Sequence, residues 1–82
     1  MSLEELATRS SKVMICNYLD RVKEHGKYQT AKTSHISSVC GGMNVGGILK
    51  EMEADGLIKR VKVVGGSEWM SIDGWREKLG SA

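Results

Sequence analysis

The hydrophobic period of this chain changes across one dipeptide, Asp55-Gly56, and that change restricts the fold more than any other feature. Upstream, Val45, Ile48, Leu49 and Met52 fall at i, i+3, i+4 and i+7, the spacing that lays apolar side chains along one face of a helix. Downstream, Leu57 to Val64 is rich in β-branched residues and partly alternates, as a half-buried strand does. Gly65-Gly66-Ser67 reads as a turn and Glu68 to Ile72 as the returning strand. A helix that passes through a tight turn into a β-hairpin makes the chain α+β.

The remaining elements precede and follow that unit. Ser2 and Glu5 have capping-box spacing, so a helix starts at once. Leu3, Leu6 and Ala7 form one apolar cluster, and Ile15, Tyr18, Leu19 and Val22 form a clean helical stripe. Thr8 to Ser11 weakens the pattern between them, which leaves open a break near Ser10 in one long helix. Gly26 ends it, with Lys23 and His25 in the last turn, where cations suit the helix dipole. Tyr28-Gln29-Thr30 reads as a short extended segment. Thr33 or Ser34 caps a second helix carrying Ile36, Val39 and Cys40, which stops at Gly41-Gly42. The third helix runs from about Asn44 to Ala54 and is ended by Gly56. Asp73 caps a short final helix containing Trp75 and Leu79.

At 82 residues the chain forms one domain, 1–82, with no repeat, linker or low-complexity segment. It contains no Phe and is 5% aromatic, so its small core is built from Leu, Ile, Val and Met. No stretch approaches the length of a membrane-spanning helix and no signal peptide opens the chain, so the expected location is cytoplasmic, without membrane contact. Cys16 and Cys40 do not make a disulfide framework and are expected as reduced, mostly buried thiols. A thiol or metal sensor would require them close together and exposed. Cys16, His25, His35 and Cys40 lack the paired spacing of a zinc site, so neither metal nor cofactor is expected. Nothing positions a nucleophile against a base and there is no Walker-type phosphate loop, so enzymatic activity is not expected.

The order helix, short strand, helix, helix, strand, turn, strand, helix resembles the winged helix-turn-helix domain. The most specific part is VGGILKEMEADGLIKR, residues 45–60, which is similar to the end of that family's recognition helix, its closing turn and the entry to its wing. The resemblance covers roughly residues 12 to 79 and implies a three-helix core, a two-stranded hairpin wing and a short C-terminal helix. It also implies a DNA-binding protein, a small transcriptional regulator that inserts its third helix into the major groove and lays the 57–72 hairpin on the flanking backbone or minor groove. On that reading Met43, Asn44, Gly46, Gly47 and Lys50 enter the groove, and Lys32, Ser34, Arg60 and Lys62 meet phosphates.

Charge is distributed accordingly. The net charge is only +2, but residues 27–50 carry Lys27, Lys32 and Lys50 with no acid, and 59–67 carry Lys59, Arg60 and Lys62 with no acid. Between them stand Glu51, Glu53 and Asp55, at the end of the third helix that should point away from DNA. Three residues keep double readings. Asn44 either caps the third helix or makes a bidentate contact to adenine. Gly46 and Gly47 either allow the third helix to pack closely on the second, the reading slightly favoured, or allow a partner to approach the backbone. His35 is expected as an exposed bystander, and Trp69 as core or half-buried sheet packing. Trp75 packs on the first helix or sits in a dimer interface. A homodimer through the terminal helices, involving Leu3, Leu6 and Met14, would present two recognition helices to successive half-sites. The alternative is a protein-interaction module, such as a small virus- or plasmid-encoded protein that binds a host protein, favoured by the modest charge and the glycine-rich helix.

Overall fold

A computed structural model of the chain describes residues 3–26 and 29–80, with side chains from residue 9 onward. The elements are α1 (Leu3–His25), α2 (Thr33–Val39), α3 (Gly46–Ala54), β1 (Ile58–Val63), β2 (Gly66–Ser71) and α4 (Trp75–Gly80). This is an α+β fold of four helices and one antiparallel hairpin. The capping box at Ser2 and Glu5, the side chains of Leu3, Leu6 and Ala7, and residues Lys27 and Tyr28 lie outside the described residues.

Helix α1 runs unbroken past Ser10. Its second half carries the core: Ile15, Cys16 and Leu19 are fully buried, with Tyr18 and Val22 packed at the edge. Ile36 from α2, Leu49 and Met52 from α3, and Ile58 and Trp69 from the hairpin close over that stripe. Each fully buried aliphatic side chain of this kind contributes about 1.5–3 kcal/mol of transfer free energy. Helix α4 adds Trp75, whose Nε1–H donates to Asp20 Oδ2 on α1 at 3.0 Å. Ser71 Oγ donates to the other Asp20 oxygen at 2.5 Å. One carboxylate thereby fastens β2 and α4 to α1, and Trp75 packs on the first helix.

Helices α2 and α3 end in the same way. Gly41 has φ 75°, its N–H bonds the Ser38 carbonyl, and the Gly42 N–H bonds the Ser37 carbonyl. Gly56 has φ 77°, its N–H bonds the Glu53 carbonyl, and the Leu57 N–H bonds the Met52 carbonyl. Both are Schellman ends, which need a left-handed residue at the first position past the cap, and glycine takes it without a Cβ clash. After the second of these turns Leu57 is buried and β1 begins.

Three boundaries differ from the sequence reading. The cap position of α2 is Lys32, with no side-chain cap bond, and Thr33 is already helical. Thr33 Oγ1 instead accepts the Trp69 indole N–H at 2.9 Å, because a largely buried N–H requires an acceptor more than an exposed helix end does. Helix α3 starts at Gly46 rather than near Asn44, since Val45 is drawn into the core and takes the cap position. The hairpin is tighter than the turn Gly65-Gly66-Ser67 suggested. Val63 pairs with Gly66, which leaves a two-residue loop of Val64 and Gly65. The extended segment ahead of α2 is realised at Ala31, which exchanges both backbone bonds with Trp69 and so lies beside β2. Among the described residues no helix is long and apolar enough to cross a membrane.

Candidate nucleic-acid interface

Antiparallel partners project from the same face, and successive residues alternate. The register therefore puts Ile58/Ser71, Arg60/Trp69 and Lys62/Ser67 on one face of the hairpin, and Lys59/Met70, Val61/Glu68 and Val63/Gly66 on the other. The buried residues Ile58, Trp69 and Ser71 mark the first face as the inner one. Arg60 and Lys62 thus share the inner face, and Lys59 belongs to the opposite one.

Helix α3 and strand β1 leave the Asp55-Gly56 turn side by side. Gly46, Lys50 and Glu53 fall at i, i+4 and i+7 on one stripe of α3. Glu53 Oε1 lies 3.4 Å from an Arg60 terminal nitrogen, so this stripe is turned toward β1. The Arg60 guanidinium also stacks over the Trp69 ring, 4.9 Å from its centroid. Arg60, expected on phosphate, is exposed and makes these two contacts within the chain. One turn back along α3 the same stripe carries Lys50, and two residues on along the same strand face stands Lys62.

The other acids of α3 face α1. Lys12 Nζ, nearly buried, contacts Glu51 Oε1 at 2.9 Å and Asp55 Oδ2 at 3.8 Å. All three carboxylates around the end of α3 are therefore engaged with cations of neighbouring elements. Lys32, Lys50 and Lys62 are exposed and have no acidic partner among the described residues. Lys32 and Ser34 meet the hairpin end in a shallow cleft lined also by Val63, Val64, Ser67 and Glu68, whose carboxylate accepts the Thr30 hydroxyl at 2.6 Å.

At the leading end of α3, Asn44 Oδ1 accepts the Gly46 N–H at 3.1 Å. The carboxamide thus does the work of a cap from one residue before the cap position. Because the donor is a backbone N–H, the orientation of the amide is fixed. A bidentate adenine contact needs that oxygen to accept from the base, so the capping role prevails in this conformation. The preference for close helix packing at the glycines is overturned. A Cβ added at Gly47 would meet nothing within 4 Å, and one at Gly46 would meet only Asn44 Oδ1, at 3.4 Å. Neither glycine is required by α2; Gly47 is exposed and Gly46 partly so. Met43 is partly exposed and its carbonyl accepts from Ser37 Oγ at 2.6 Å, which pins the α2–α3 turn. Ser37 was not singled out by the sequence, and Thr33 was read only as a cap, because its bond to Trp69 joins residues 36 apart whose proximity only the tertiary fold creates.

The structure thus puts Arg60 and Lys62 on one hairpin face and Gly46 and Lys50 on the α3 stripe that carries Glu53, and brings Lys32 and Ser34 to the hairpin end. His35 is exposed at the start of α2. The thiols are of a structural kind. Burial, with the Asp20 carboxylate adding to it and Arg76 opposing it, pushes the Cys16 thiol up to about 12. Burial also raises Cys40. Among the described residues no group of three His, Cys, Asp or Glu side chains converges as a metal set would. No family model matches the chain, and no curated protein sequence and no solved structure matches it either.

Proposed function

We propose that the chain is a winged helix-turn-helix protein that binds double-stranded DNA, with α3 as the recognition helix and the β1–β2 hairpin as the wing. In that role it acts as a small transcriptional regulator. The observation that carries the reading is the separation of charge along the α3–β1 seam. Its acids are neutralised from within by Lys12 and Arg60, while Lys50, Lys62 and Lys32 are exposed with no acidic partner among the described residues. A polyanion approaching the glycine end of α3 meets cations and no free carboxylate of that helix. Lys50 and Lys62 flank the groove contact, and Lys32 with Ser34 takes a phosphate beside the wing. The partly exposed Met14 on α1 supports a homodimer through the terminal helices.

The test is fluorescence anisotropy of a labelled random-sequence duplex, titrated at low and at moderate salt. Binding that weakens steeply with salt is expected. Absence of binding at low salt would remove the DNA reading. A second reading, a protein partner on the same face, is favoured by one observation: Val39 and Met43, each 39% exposed, frame the α2–α3 turn beside the glycines.

A further inference from the structure

We infer that this interface grips duplex DNA with little selection among base sequences. The inference rests on the DNA reading above and concerns what α3 can recognise. Base edges in the major groove are told apart by patterns of donors and acceptors. To accept from the amino group of adenine or cytosine, a protein needs a free oxygen at the groove. On α3 and the residue pair before it, the side-chain oxygens are Asn44 Oδ1, Glu51, Glu53 and Asp55. Asn44 Oδ1 holds the Gly46 N–H, Glu51 and Asp55 hold Lys12, and Glu53 holds Arg60. The three carboxylates keep exposed oxygens, but they stand in the C-terminal half of the helix and at its end, each paired with a cation of a neighbouring element. Toward the leading end, over residues 43–50, the exposed or partly exposed polar side chains are Asn44, whose oxygen already accepts the Gly46 N–H, and Lys50, beside Met43 and the two glycines, so that end offers donors.

Donors alone are satisfied by phosphate oxygens as well as by the acceptors of guanine or thymine. Lys50 is a flexible point charge with no fixed fork to enforce a bidentate pair. The glycines bring the helix backbone close without adding a contact that depends on the base. Affinity therefore comes from phosphates, which every sequence offers alike. Such a protein acts by covering tracts of DNA in proportion to its concentration.

The experiment is selection from a randomised duplex library with the full chain, followed by competition of any enriched sequence against an arbitrary duplex of the same length. The expected result is a preference within about tenfold, because a single good bidentate base contact already supplies about that much. A sequence preferred by more than about tenfold overturns the inference while leaving DNA binding intact. Failure to bind any duplex overturns the DNA reading and this inference together. Lys50→Ala, at an exposed site, is expected to weaken every duplex by the same factor. A loss confined to one sequence would show that Lys50 reads a base, and would also overturn it.

Discussion

At the scale of single residues, Gly47 separates what the fold needs from what a partner needs. Its backbone is helical and a methyl group there meets open space. Gly47→Ala is expected to stabilise the protein by about 0.4–1 kcal/mol in urea denaturation, through a less flexible unfolded chain. The same methyl group is expected to weaken DNA binding if the backbone of α3 approaches the duplex closely, measured by the same anisotropy titration. Cys16 gives a second residue-scale outcome. Its folded thiol titrates near 12 against an ordinary value of 9.0. Below the ordinary value both states carry the proton and stability does not depend on this group. Between the two values the unfolded thiol ionises and the folded one does not, so stability falls as pH rises. Denaturation curves across that window should show a decline that is shallower in Cys16→Ala. Labelling of Cys16 in the native protein should be slower than that of the partly exposed Cys40. The burial of Cys16 was legible in advance, since an isolated cysteine in a small chain reads as a buried thiol, whereas Cys40 is only partly buried. The decision between cap and base contact at Asn44 was not, because it turns on one hydrogen bond whose partner depends on where α3 starts.

At the scale of elements, the order and types were legible because each carries its own period and its own stop signal. The α3 stripe, the Gly56 turn and the β-branched run of β1 are all local features. The boundaries slipped where tertiary contacts outweighed local ones: the core claimed Val45, and the Trp69 indole claimed Thr33. The pairing of charges slipped for the same reason. Arg60 lies in a basic run, but β1 returns beside α3 and brings it to Glu53. The two hairpin cations are therefore expected to behave differently. Arg60→Ala should cost about 1 kcal/mol of stability, through loss of a half-exposed ion pair and a ring stack, and leave the salt dependence of DNA binding unchanged. Lys62→Ala should leave stability nearly unchanged and lower the slope of log affinity against log salt by about 0.9. Unchanged binding in Lys62→Ala would remove the hairpin from the interface.

At the scale of the whole molecule, α1 is the spine to which the other elements are attached, through Asp20, Lys12, Lys23 and Asn17. Its core residues occupy the second half, so a dimer seam on the remaining surface would leave the α3–β1 seam open. Sedimentation equilibrium is expected to give twice the 9.0 kDa chain mass, and Met14→Glu to return the monomer. A monomer in the unaltered protein would remove the paired half-site arrangement and leave the single-copy interface standing. The two tryptophans have a practical consequence of their own. Each indole is largely buried, donates its N–H to a helix side chain and carries an arginine over its ring. Trp69 sits where the hairpin meets α2, and Trp75 where α4 meets α1. The chain thus contains two intrinsic optical reporters of separate junctions. In Trp75→Phe, the remaining emission follows the seating of the hairpin alone, and its change on titration with DNA would report the moment the wing is engaged, without any attached dye.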